Sequence, residues 1–284
     1  MKLNVILWFK PFIMYRISII GAGNVATQFA IAFQRAGHDI VCVCNRNIEK
    51  AEQLSRIIGR YKGKAQYVSD YKDIPESDIV FITVADSAIE DVIAHIQSPS
   101  NNTIYVHTSG ATPMSVFEAN GKIANYGVFY PLMTLSKNKN LDIRMVPFLI
   151  EASGKEQEEK LANLVKTLKA EYNICNSQKR LKMHTAAVFT TNFVNYMLTM
   201  AYEISHPDFT FLLPSAIEAV RKAFLHTPMT AQTGPALRKD MNTLEKHMQL
   251  LEEGGYAEHL EIYRQLSKCI MERYNGCSNA DTNK

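Results

Sequence analysis

A chain of 284 residues is long for one domain, since domains run to about 150 residues, so two domains are expected. Hydrophobic residues at 46% and charged residues at 21% exclude a disordered, collagen-like or disulfide-scaffold protein. The 31 basic and 28 acidic residues leave a charge of +3, too small an excess to imply nucleic acid or a membrane surface, and the expected partner is a small molecule.

The cysteines Cys42, Cys44, Cys175, Cys269 and Cys277 are scattered, without a C-x-x-C pair or a His at zinc-finger spacing. They read as reduced thiols of a cytoplasmic protein with no metal site. No stretch reaches the roughly 18 apolar residues of a membrane span. In residues 1–13, MKLNVILWFKPFI, a short apolar run is broken at Lys10-Pro11, and no small-residue cleavage site follows. With Met14 directly behind it, this segment is expected to be a start-site extension or a loose arm outside the fold.

From Tyr15 short apolar runs alternate with amphipathic stretches, the pattern of a parallel sheet covered by helices. The runs are RISII (16–20), DIVCVCN (39–45), DIVFITV (78–84), TIYVHT (103–108), IANYGVF (123–129) and VPFLIE (146–151). Gly37-His38 closes the first helix and Gly59 the second. After residue 152 the segments become long and helical in period, over 155–170, 177–205, 214–226, 238–252 and 256–275, and EYNIC (171–175) is a possible last strand. The fold class is therefore α/β, a Rossmann-type doubly wound, mostly parallel sheet followed by an all-α domain. The expected boundaries are 14–152 for the nucleotide-binding domain, 153–276 for the helical domain and 277–284 for a polar tail.

Gly21-Ala22-Gly23-Asn24-Val25-Ala26 fits G-x-G-x-x-A after a strand and at the start of a helix. Gly21 permits the tight turn, Gly23 lets backbone approach a pyrophosphate, Ala26 lets helix pack on sheet, and the helix start offers free N–H groups to phosphate. The second run ends in Asn45-Arg46 where an NAD site would carry a carboxylate, so the expected cofactor is NADP, with the guanidinium on the extra phosphate. The alternative is a solvated loop charge. Val84 ends the third run and Ala85 and Asp86 come next at the ligand edge of the sheet, where small residues at 84 and 85 let a nucleotide lie close; Asp86 or Ser87 either caps the next helix or meets the cofactor.

His107-Thr108-Ser109-Gly110 ends the next run, where His can move a proton and Ser109 can hold a substrate atom; the alternative is a polar approach to the next helix. His184, Val188, Asn192 and Asn195, spaced 4, 4 and 3, share one helical face, and these polar groups call for either a ligand or interhelical hydrogen bonds. In Thr233-Gly234-Pro235-Ala236-Leu237-Arg238-Lys239-Asp240, Arg238 is the candidate clamp for a carboxylate substrate, against a surface pairing with Asp240.

Taken together, IIGAGNVA (19–26), GHDI with NR (37–46), VADSAIEDV (84–92), HTSG (107–110), HTAAVFTTN (184–192) and TGPALRKD (233–240) resemble a bacterial family of Rossmann-like proteins assigned as NADP oxidoreductases, with a helical C-terminal domain of unassigned function. More distantly the layout is similar to pyrroline-5-carboxylate reductase, deazaflavin-dependent NADP reductases, ketopantoate reductase and 3-hydroxyisobutyrate dehydrogenases. The resemblance implies a cofactor domain, a helical domain that forms a homodimer, and hydride transfer to a small imine or ketone in a cleft. Under it His107 or His184 would donate the proton, Ser109 and Asn192 would hold the reacting group, and Arg238 would clamp an anion. The helix lacks the Lys of the hydroxyacid relatives, which leaves a non-catalytic NADP sensor or scaffold as the alternative.

Overall fold

The computed structural model describes residues 13–61, 63–97, 99–137 and 141–274. The expectations for the first twelve residues and for the tail 277–284, with Cys277, lie outside them.

The first unit runs through Asn192. Its elements are β1 (Arg16–Ile20), α1 (Asn24–Arg35), β2 (Asp39–Cys44), α2 (Ile48–Gly59), β3 (Gln66–Val68), β4 (Ile79–Ile82), α3 (Ile89–His95), β5 (Ile104–His107), β6 (Tyr126–Pro131), β7 (Phe148–Ala152), α4 (Lys155–Thr167), β8 (Tyr172–Ile174) and α5 (Ser177–Val188). The eight strands form one sheet in the order β3-β2-β1-β4-β5-β6-β7-β8, parallel except where β6 meets β7. Crossing from β1 to β4 reverses the winding direction, and ligands bind at the strand ends beside such a switch point.

Strand alternation divides the core in two. Ile17 and Ile19 of β1, Ile79 and Phe81 of β4, and Ile104 and Val106 of β5 bury against α1, α2 and α4. Ile20, Val80, Ile82 and Tyr105 point the other way, toward α3 and the 3-10 turn Met114–Asn120. Cys42 and Cys44 sit together on this second face as buried thiols whose pKa burial raises to about 12. The wide antiparallel pairing of β6 with β7 is filled on the first face by Phe29, Phe129 and Phe148, with the last two ring centroids 4.7 Å apart.

By chain contacts the first compact unit runs on past residue 152 to Asn192, because α4 packs on β7 and β6, and β8 pairs with β7. Helix 177–205 is one helical path interrupted by a π turn, Phe189–Phe193, before α6 (Val194–Ser205). The short β3 gave no apolar run in the sequence, since only Val68 of its three residues is buried.

The second unit, from Phe193, contains α6, α7 (Leu213–Leu225), the single turns α8 (Pro228–Ala231) and α9 (Pro235–Arg238), α10 (Met241–Glu253) and α11 (Ala257–Tyr274). Leu244, Leu251, Leu260 and Ala236 are buried where α9, α10 and α11 meet. No described helix is long and apolar enough to cross a membrane.

Candidate active site

The turn between β1 and α1 has the geometry the glycines demand. Gly21 has φ +114°, and a Cβ there would lie 2.6 Å from Thr83 Oγ1 and 2.9 Å from the Thr83 carbonyl at the end of β4. Only glycine satisfies both restrictions. Gly23 is the N-cap of α1, supplies no capping side chain, and would point a Cβ into space with nothing within 4 Å. The first turn of α1 contains no acidic residue, so its free N–H groups face outward without a competing carboxylate. Asn24 and Val25 follow, and Ala26 is fully buried against the sheet. An open cradle of this kind fits a dinucleotide pyrophosphate.

At the end of β2, Asn45 accepts a hydrogen bond from the Asn47 N–H (2.9 Å), and Asn47 caps α2 through the Lys50 N–H (3.1 Å). Arg46 between them is exposed, makes no ion pair with another described residue, and borders a cavity with Ser69, Asp70 and Tyr71. After β4, neither Asp86 nor Ser87 caps α3: Ala85 and Ala88 hold the cap positions and no side chain bonds there. Capping therefore does not account for the exposed Asp86, which stays close enough to Tyr130 to raise its pKa.

The next two strands end in a compact group. His184 on α5 is half-buried, and its Nδ1 shares a 2.8 Å hydrogen bond with the Tyr130 hydroxyl at the end of β6. Gly110 lies under both rings; a Cβ there would come within 2.6 Å of His184 Nδ1 and 2.8 Å of Tyr130 Cζ. Burial first, and then Asp86, raise the Tyr130 pKa against a smaller opposing pull from Arg180, so the phenol stays protonated at neutral pH.

His107 and Ser109 are placed differently. His107 is fully buried, stacks on Phe117 at 5.7 Å and accepts the Ser109 N–H at Nδ1 (3.2 Å). Burial, and then the nearby Arg180 charge, push its pKa down to about 3. Ser109 Oγ accepts from the N–H groups of Ala111 (3.1 Å) and Thr112 (2.9 Å), so it shapes the turn toward Pro113.

What holds α5 in place is a buried ion pair. Arg180, 1% exposed, pairs with Glu151 of β7 and donates to the Thr112 carbonyl (2.6 Å). Glu151 also accepts from the N–H (3.0 Å) and hydroxyl (2.8 Å) of Ser177 at the start of α5.

Comparison with known proteins decides the family. Residues 16–110 match the model "NADP oxidoreductase coenzyme F420-dependent" and residues 146–270 match a domain of unknown function, DUF2520. A crystal structure from Bacteroides fragilis, described as that of an NADP oxidoreductase, is 35% identical, covers 91% of this chain and 98% of its own, and superposes with a TM-score of 0.81. The chain belongs to this family of NADP oxidoreductases. None of the curated proteins matches it. The fold extends to a protein from Thermotoga maritima (18% identity, 92% and 98% covered, TM-score 0.65) and an imine reductase from Bacillus cereus (17%, 89% and 93%, TM-score 0.54).

In this oxidoreductase the glycine turn, residues 84–86, 107–110, Tyr130 and His184 all belong to the first unit. Asn192 lies within the π turn, where it is exposed and accepts a 2.8 Å bond from its neighbour Thr191. Asn195 is exposed as well, so neither amide carries the cost of burial that called for a ligand. Arg238, in the second unit, is exposed and makes no ion pair with a described carboxylate; Asp240 instead caps α10 through Thr243. Sequence reasoning missed Tyr130, although it lies within β6, a strand directed at the ligand edge, because the apolar run was ended at Phe129.

Proposed function

We propose that this oxidoreductase uses NADPH to reduce a C=N or C=O bond in a small, carboxylate-bearing substrate. The observation carrying this reading is the hydrogen bond between Tyr130 and His184, on the same sheet edge as the dinucleotide turn. Gly21, Gly23, Asn24, Val25 and Ala26 would hold the pyrophosphate, with Val84 and Ala85 lying close along the nucleotide. Asn45 and Arg46 would hold the ribose and its extra phosphate, a role for which a guanidinium is suited and a carboxylate is not. The bound nicotinamide would supply the hydride.

The substrate atom that gains negative character would take its proton from the Tyr130 hydroxyl, and His184 would pass one to the phenolate through Nδ1 while its Nε2 takes a proton from solvent, leaving the imidazole neutral. His107 would remain a neutral, buried support, and Ser109 would fix the turn that carries Gly110. Asn192 is the candidate for a further polar contact to the substrate, and Arg238, exposed in the second unit, is taken by itself as a candidate carboxylate-binding cation. C=N bonds come first among substrates to test because the Bacillus cereus imine reductase shares the fold.

A homodimer is part of the proposal. Leu213, Ile217, Val220 and Phe224 form one stripe along α7 and are 52–79% exposed, a large apolar surface for a second copy to cover.

Parallel calorimetric titration with NADPH and NADH tests the cofactor, with Arg46→Asp as the control. NADPH binding lost in the variant supports the assignment, and absence of binding by either nucleotide overturns it. Imino and keto acids that consume NADPH in the wild type but not in Tyr130→Phe or His184→Ala would support the reaction; equal rates in all three would refute the proton relay.

A further inference from the structure

The segment after β6 returns to the nucleotide turn and is fastened there. Leu135 is buried in the first core, and the buried Gln28 of α1 donates to the Ser136 carbonyl (2.5 Å). The Lys137 N–H then donates to Asn24 Oδ1 (3.2 Å), and the Lys137 ammonium donates to the Ala22 carbonyl (2.7 Å). Residues 113 and 115 positions apart in sequence are thereby joined across the glycine turn. No described carboxylate pairs with Lys137, and the first turn of α1 has none to offer. An ammonium has three donors and the Ala22 carbonyl takes one.

We infer that Lys137 is a cofactor-binding residue, a cation that the strap 132–137 holds over the dinucleotide turn to receive the pyrophosphate. The inference rests on the cofactor reading above and adds to it a residue from the far half of the sheet. The Gly23 cradle supplies N–H donors and a partial positive charge, but no full charge opposes the diphosphate from the turn itself. Lys137 supplies that charge from the strap that is fastened to the turn. The tethers at Ser136 and at the Lys137 backbone leave only the side chain to move from the Ala22 carbonyl to a phosphate oxygen, so little freedom is lost on binding. Because every nicotinamide dinucleotide has the pyrophosphate, this contact acts on NADPH and NADH alike, unlike Arg46.

The test is calorimetric titration of wild type, Lys137→Met, Lys137→Arg and Arg46→Asp with NADPH and NADH, at two salt concentrations. Lys137→Met should weaken both nucleotides by the same factor, about tenfold for a charge-assisted contact of roughly 1.4 kcal/mol. Lys137→Arg should retain most of the binding, and Arg46→Asp should weaken NADPH alone. Salt should weaken NADPH binding less steeply in Lys137→Met than in wild type, a change that a purely structural lysine would not produce. Wild-type affinity in Lys137→Met, or a loss with an unchanged salt dependence, overturns the inference while leaving the cofactor site standing. A wild type that binds neither nucleotide overturns both.

Discussion

His107 is held neutral by its surroundings, and that makes the fold acid-sensitive in a calculable way. An unfolded histidine titrates near pH 6.5, whereas buried His107 does so at about 3. The folded pKa is the lower one, so below pH 6.5 the unfolded chain binds a proton that the native protein refuses. The stability contribution is complete above about 6.5 and falls as pH drops toward 3, by roughly 1.4 kcal/mol per pH unit. From neutral pH down to 4.5 this amounts to roughly 2–3 kcal/mol. His38, whose burial lowers its pKa to about 4, adds a parallel loss that a variant must subtract. His107→Asn keeps an acceptor for the Ser109 N–H and removes the titrating ring. Urea unfolding followed by circular dichroism, at pH values from 7.5 to 4.5, should show the variant less stable at neutral pH and the gap closing by roughly 2–3 kcal/mol at the acid end. Two curves that stay parallel across this range would refute the neutral, buried His107 and reopen its case as the proton donor.

The remaining expectations concern the supports of the site. Glu151→Gln leaves the Arg180 charge buried without its counterion and should cost about 3–5 kcal/mol in urea unfolding, with the double change Glu151→Gln, Arg180→Met recovering part of it; a cost under about 1 kcal/mol would mean that the pair does not anchor α5. Gly110→Ala forces a methyl against His184 and Tyr130 and should lower kcat about tenfold or more while NADPH affinity in calorimetry stays as it was; unchanged turnover would show that the two rings can part without consequence. Phe224→Asp, on the exposed stripe of α7, should convert a dimer into a monomer in light scattering, and a wild type that is already monomeric would dispose of the dimer.

The parts legible in the sequence were those determined by neighbours along the chain. β1 was read at its observed bounds because four of its five residues are buried and glycine follows at once. The glycine turn was legible because a positive φ at Gly21 and an open Cβ direction at Gly23 are local demands that few residues meet. The chemistry between Tyr130 and His184 was hidden because it depends on where two strands end and how α5 lies across them, a separation of 54 residues. Lys137 was hidden for the same reason, as an ordinary charge in a loop until that loop is traced back to α1.

Ser109 shows why position at the sheet edge could not by itself assign a role. A hydroxyl at the end of a parallel strand has the same sequence signal whether it binds substrate or builds the turn. The difference lies in its lone pairs, and here two backbone N–H groups already engage the oxygen. The neighbouring Gly110 carries no donor or acceptor side chain, yet its missing Cβ is what lets the histidine and tyrosine rings meet. In HTSG the side chains that looked chemical bond within the loop, and the residue with no side chain makes room for a hydrogen bond between two rings supplied by other elements.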